Sequence, residues 1–142
     1  MARVDFYLLK QEGAQSRQSF ACRLAEKAYR LKNSVHIHTP SRADADRLND
    51  LLWTFRDGSF VPHDVIDNSG LSKLSPVSIG CDEDTIEPRD LLINLSDEIP
   101  EFAEAFPRVA ELVSSDETSK QESRRRFAAY RDKGHTLETH NV

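Results

Sequence analysis

Apolar residues fall along this chain in short clusters that alternate with longer stretches of helical spacing. Residues 3–9, RVDFYLL, combine aromatic and branched side chains and give way to a loop containing Gly13, which predicts a buried first strand. From about Ser16 to Leu31 the apolar residues Phe20, Ala21, Leu24, Ala25, Ala28 and Leu31 recur at helical spacing, while Arg23, Glu26 and Arg30 fall opposite. That spacing predicts an amphipathic helix lying on the sheet. Ser34 to His38 reads as a second strand, and Thr39-Pro40 as a cap with proline at the first helical position, leading into a helix from Ser41 to Trp53.

Phe55 to Ser75 is rich in Gly, Asp, Asn, Ser and Pro without a sustained period, which predicts an irregular connection and the greatest freedom to move. Pro76 to Gly80 and Leu91 to Leu95 read as buried strands separated by the acidic loop CDEDTIEPRD. A turn of helix follows around Pro100 to Ala105, then a last strand from Arg108 to Val113. Ser114 or Ser115 is the expected cap of a long helix that runs to about Lys133 and stops at Gly134. Strands that alternate with helices predict an α/β fold with a mostly parallel sheet and helices on both faces, because parallel strands need right-handed crossovers. A chain of 142 residues accommodates one such core, so residues 1–142 are read as a single domain.

Composition narrows what this domain can do. A net charge of -5 argues against a protein that coats nucleic acid over its whole surface, a job that needs a broad basic footprint. No stretch approaches the roughly 20 apolar residues of a membrane span, and the segment MARVDFYLLKQEG has no signal-peptide pattern, so no membrane partner is expected and the location is read as cytoplasmic. Cys22 and Cys81 lie far apart without CxxC spacing and are read as reduced, structural thiols.

Motifs for catalysis are wanting. The segment KQEGAQSRQSF after the first strand contains neither GxGxxG nor GxxxxGK, so no nucleotide-binding loop and no cofactor are expected. The position six after Cys22 is Ala28 and that after Cys81 is Glu87, so a thiolate phosphatase loop lacks its arginine. His36 and His38 share a strand face and could act as two metal ligands, but no third ligand at suitable spacing is evident, and two histidines at a strand edge or beneath a helix, hydrogen-bonded or solvated, are the plainer reading. Asp82, Glu83, Asp84, Glu87 and Asp90 lack the spacing of a calcium loop and read as a solvated acidic segment. A doubly wound enzyme working near His36, His38 and Asp90 is the competing class.

Two features point instead to binding. Cys81 to Glu117 holds twelve acidic residues against Arg89 and Arg108, whereas the following helix carries Lys120, Arg124, Arg125, Arg126, Arg131 and Lys133. Lys120, Arg124, Phe127 and Arg131 stand at i, i+4, i+7 and i+11, lining one helical face with an aromatic ring among three cations. That face suits an acidic ligand with an apolar anchor; equally, the cations could serve the helix dipole while Phe127 and Tyr130 pack on the sheet. The second feature is LLWTFRDGSFVPH, where Trp53, Phe55, Phe60, Val61 and Pro62 surround a turn, either as core or as an exposed anchor patch.

Five segments together resemble the chi family of accessory subunits of bacterial DNA polymerase III: FYLL, ACRLAEKAYR, LLWTFRDGSFVPH, DLLINLSDEIP and RRRFAAYRDKGHTLETH, which span nearly the whole chain. The resemblance implies a Rossmann-like fold without nucleotide binding, no catalysis, and a bridging role between the clamp loader and single-stranded DNA-binding protein. It implies that the acidic C-terminal tail of single-stranded DNA-binding protein docks at Val113, Lys120, Arg124 and Phe127, with Arg131 on the same face. Some relatives have Tyr where Phe127 stands and Lys where Ala128 stands; Arg125, Arg131 or Lys133 is a candidate to supply the missing charge. It further implies that the psi subunit of the clamp loader binds an aromatic patch matching Trp53, Phe60, Val61 and Pro62, with a DNA-repair helicase as an alternative partner at much the same patch.

Overall fold

The computed structural model describes residues 2–54, 63–65, 76–81 and 89–142. Its strands are β1 (Arg3–Leu8), β2 (Val35–Thr39), β3 (His63–Val65), β4 (Val77–Cys81), β5 (Leu91–Asn94), β6 (Arg108–Val113) and β7 (Thr136–Asn141). Helices α1 (Ala14–Arg30), α2 (Arg42–Thr54) and α3 (Glu117–Asp132) alternate with them, together with a 3-10 turn at Glu101–Ala105. The strands form a seven-stranded sheet in the order β3-β4-β2-β5-β6-β1-β7. Every described pair is parallel, including β1 with β6 and β1 with β7. The α/β fold predicted from the pattern is therefore the one observed, with the sheet parallel throughout.

Parallel strands covered on both faces must be apolar along their whole length, and β2, β4 and β5 are buried at every residue. Alternate residues serve opposite faces. Val35, Ile37, Ile93, Ala110 and Leu112 join a core with Ala21, Ala25, Leu48 and Leu52 of α1 and α2. On the other face Val4, Phe6, Leu92, Val109 and Val113 pack with Ala103, Phe106 and Tyr130.

Three expectations need correction. The strand Arg108–Val113 is not the last: α3 ends at Asp132, Gly134 just beyond it takes a φ of 84° that suits glycine, and the chain returns as β7 beside β1. The connection Phe55 to Ser75 contains strand β3, the remainder lying outside the described residues. The caps also shift. Thr39 ends β2, its hydroxyl donating to the Gly80 carbonyl at 2.8 Å, and Ser41 caps α2 by accepting from the Asp44 amide at 3.2 Å. Asp116 rather than Ser114 or Ser115 caps α3, accepting from the Ser119 amide. Two side chains assigned to outer or core faces also differ: Glu26 is buried and pairs with Arg30 at 3.1 Å, while Leu31 is 65% exposed.

One ionic group is sealed between the sheet and α3. Glu111 of β6 has no exposed surface, and its carboxylate accepts from Arg126 Nε at 2.9 Å, Asn94 Nδ2 at 2.9 Å and Tyr130 Oη at 2.7 Å. Arg126 extends the network by donating to the Asp97 carbonyl at 2.9 Å. Burial raises the Glu111 carboxyl above its ordinary range, and Arg126 opposes that rise. A raised carboxyl favours the fold fully below the ordinary carboxylate range and loses that contribution as pH climbs through the folded value.

Arg126→Met removes the opposing cation, so we expect a loss of about 3–5 kcal/mol in urea unfolding. The deficit should grow as pH rises above the ordinary carboxylate range, because the stranded carboxyl is forced to ionise. Glu111→Gln in the same background should recover part of it.

The Asp116 carboxyl is lowered to about 2 by a hydrogen bond from the Ser114 hydroxyl and then by the Gly13 amide. A lowered carboxyl contributes above its ordinary value and loses the contribution as pH falls toward the folded one. Asp116→Ala should therefore cost about 1 kcal/mol at neutral pH, and the difference from the parent should vanish as pH approaches 2 in thermal unfolding.

Candidate functional site: the outer flank of the last helix

Ser119, Ser123, Arg126 and Tyr130 form the buried spine of α3, and the Glu111 network fixes that spine on β6. Helical geometry then decides both flanks. On one side Glu122, Arg125, Arg126 and Ala129 border Asp97, Glu98 and Ile99 in an open depression of about 310 Å³. The opposite flank carries Lys120, Arg124, Phe127 and Arg131 toward β1 and β7.

Phe127 is half-buried, its ring 5.3 Å from that of Phe6 on β1, and it packs on the same core as Leu137 of β7. Lys120 and Arg124 are exposed, and neither forms a salt bridge with another described residue. Arg131 is exposed and lies 3.6 Å from its neighbour Asp132. The structure thus brings four of the five tail-site residues onto one surface. Val113 is 1% exposed and lies within the core under this flank, so it supports the surface and does not present it.

The candidates for replacing the charge absent at Ala128 are separated by this geometry. Arg125 faces the depression on the far flank and Lys133 pairs with Glu104 at 2.9 Å, whereas Arg131 stands on the Lys120 flank. A half-exposed aromatic ring beside cations suits a ligand with carboxylates and an apolar side chain.

Trp53 sits near the end of α2 and is 48% exposed; Phe60, Val61 and Pro62 lie outside the described residues. Helix α2 packs on β2, β3 and β4, whereas α3 packs on β6 and β7 on the other face. Four strand spacings of about 4.8 Å separate β4 from β1, so Trp53 and the α3 flank look out from opposite faces and opposite ends of the sheet.

The residues of the competing enzyme reading do not converge. His36 and His38 are buried at 1% and 2% exposure against Phe102, and the His36 Nδ1 lies 2.8 Å from the Ser78 hydroxyl. Burial, with help from His38, lowers His36 to about 3, leaving it a neutral core histidine. Asp90 instead accepts from the Ser34 amide at 2.8 Å, at the amino ends of β2 and β5. Cys22 is fully buried, which pushes its thiol up to about 12. Among the described residues Asp5, Glu138 and His140 come together, but Asp5 already accepts from His140 at 2.9 Å and Arg3 at 3.2 Å and pairs with Arg108 at 3.4 Å. Burial pushes the Asp5 carboxyl up, yet these hydrogen bonds outweigh it and hold the group below its ordinary range. The cluster is an ion-pair network across β1, β6 and β7.

The carboxyl ends of β1 and β6, where the chain turns to opposite faces, are the place where doubly wound folds bind ligands. Here that crevice is lined by Asp97, Asp116 and Glu122 with Arg17. The Asp116 carboxylate accepts from the Gly13 amide before α1 at 3.2 Å and from the Ser119 amide of α3 at 3.2 Å. The chain's own anion fills the position that helix termini offer to a phosphate.

Sequence reasoning missed β7, whose segment TLETHN offers Leu137 as its one large apolar side chain. A signal was available in Gly134, which follows the end of α3 and stands two residues ahead of a second extended segment.

Solved structures share this architecture. T4 UvsW superposes with a TM-score of 0.68 at 9% identity over 99% of this chain and 41% of that one. S. cerevisiae Dbp5 bound to RNA and ADP BeF3 gives 0.60 at 12% identity over 98% of this chain and 41% of that one. At such identities the likeness concerns the fold alone. Sequence comparison is far closer. The family model for the DNA polymerase III chi subunit, HolC, matches residues 1–138. DNA polymerase III subunit chi of Pseudomonas aeruginosa is 39% identical over 142 residues, covering 100% of this chain and 98% of its own. Its counterparts from Haemophilus influenzae and Escherichia coli are each 32% identical over 98% of this chain, and over 96% and 97% of their own lengths. With agreement along the whole length of the fold, the chain belongs to the DNA polymerase III chi subunit family.

Proposed function

We propose that this chain is a noncatalytic cytoplasmic adaptor that ties the polymerase III clamp loader to single-stranded DNA-binding protein. The acidic C-terminal tail of that protein docks on the α3 flank, and the psi subunit docks on the patch around Trp53. One observation carries this reading: Lys120, Arg124 and Arg131 are exposed around the half-buried Phe127 on a single flank, in a chain whose net charge is -5. An acidic segment gains three cations there, and an apolar side chain finds Phe127 and Leu137. Placement of Trp53 on the opposite face lets both partners be held at once. Linking two modest contacts in this way raises the effective concentration of each without enlarging either.

Calorimetric titration with a short acidic peptide ending in Asp-Ile-Pro-Phe should give saturable binding that weakens as salt is raised. Arg124→Ala should weaken it by about tenfold or more, since a hydrogen bond to a charged group is worth about 1.5–3 kcal/mol. Failure of the parent chain to bind the peptide at high micromolar concentration would defeat the tail assignment.

Trp53→Ala should leave peptide binding intact while costing about 2 kcal/mol in association with purified psi. Equal affinity of parent and variant for psi would place that contact elsewhere.

A further inference from the structure

We infer that the acidic tail is held by main-chain pairing as well as by charge: it lies along the open edge of β7 as an eighth strand. This rests on the tail assignment above and specifies how the tail is gripped. Among the described residues β7 ends the sheet order, with β1 as its one neighbour. Its Thr136 amide donates to the Ala2 carbonyl at 3.1 Å, and the Val142 amide beyond it donates to the Leu8 carbonyl at 3.2 Å. Parallel pairing alternates the direction of successive amides, so Glu138 and His140 also turn toward β1. The amides and carbonyls of Leu137, Thr139 and Asn141 therefore point away from the sheet, and among the described residues no other strand pairs with them.

This edge and the cationic flank are matched in length. Helix α3 runs back over the sheet between β6 and β7, so Lys120 lies toward the carboxyl end of β7 and Arg131 toward its amino end. From Lys120 to Arg131 the helix rises about 17 Å, and β7 from Thr136 to Asn141 extends about 17 Å. A strand added about 4.8 Å outside β7 would direct alternate side chains to the α3 face. Carboxylates there meet Lys120, Arg124 and Arg131, and an apolar residue meets Phe127 and Leu137. Strand addition of this kind draws affinity from the main chain and selectivity from alternate side chains.

An exposed strand edge also invites a second copy of the same chain. Two-fold pairing of β7 with itself would set two α3 flanks, each with Lys120, Arg124 and Arg131, side by side. Like charge disfavours that arrangement, and the same charge favours an acidic peptide.

Two comparisons by calorimetry test the proposal, using the acidic peptide ending in Asp-Ile-Pro-Phe. The first replaces the parent chain by Thr139→Pro, which removes an outward amide and leaves the β1 ladder amides in place; circular dichroism establishes that the variant folds. The second keeps the parent chain and N-methylates the peptide amides one at a time. We expect Thr139→Pro to weaken binding by about tenfold or more, and N-methylation to be costly at alternate amides and harmless between them. Binding that is lost in Arg124→Ala yet unchanged in Thr139→Pro and in every N-methylated peptide would overturn strand addition and leave the tail assignment standing. Absence of binding to the parent chain would overturn both. Sedimentation showing a dimer that Thr139→Pro abolishes and the peptide does not displace would assign the edge to a second copy instead.

Discussion

The buried pair of Glu111 and Arg126 sets the azimuth of α3, and the placement of its cationic flank follows from that azimuth. A carboxylate with no exposed surface must be met by donors, and the donors come from β5 through Asn94 and from α3 through Arg126 and Tyr130. Rotating the helix by one residue, about 100°, would strand the charge. With Arg126 and Tyr130 committed inward, Lys120, Arg124, Phe127 and Arg131 are committed to the flank over β1 and β7. Helix α3 has few large apolar residues on its inner face, Ser119 and Ser123 being two of the four buried positions. The ionic network therefore supplies orientation that apolar packing alone would specify poorly.

The likeness to UvsW and Dbp5 concerns the doubly wound fold alone, and a fold does not by itself fix a site. In this chain the crevice at the carboxyl ends of β1 and β6 holds its own carboxylate, Asp116, bound to the amides that precede α1 and begin α3. Asp97 and Glu122 add negative charge around it. The crevice serves as a joint between two helices on opposite faces, and the exposed chemistry lies on the outside of α3. Among the described residues the sheet ends in β7, which gives that helix a neighbour whose outer edge is unpaired.

Much of this was legible in the sequence, for a physical reason. Strands buried on both faces read as continuous apolar runs, and α1 and α3 carry their periodicity plainly, so the α/β alternation and the grouping of Lys120, Arg124, Phe127 and Arg131 follow from pattern. β7 did not, because TLETHN is a strand through its pairing with β1 and has little apolar content of its own. Several Ser, Thr and Asp residues near each helix start compete as caps, and Asp116 prevails through a tertiary bond to Gly13 that no local pattern encodes. Glu26 and Glu111 carry charges that suit a surface and are buried here. The family resemblance drawn from five segments is upheld by the full-length comparisons.

The central claim is that the α3 flank over β7, and no other surface, receives an acidic peptide. Mapping backbone amide shifts by two-dimensional nuclear magnetic resonance during titration with such a peptide tests it most directly. The account predicts shifts concentrated from Lys120 to Arg131 and along β7, with Asp97 to Ile99 and the Trp53 end of α2 unmoved. Shifts centred on the depression between Asp97 and Arg125, or around Trp53, would contradict it.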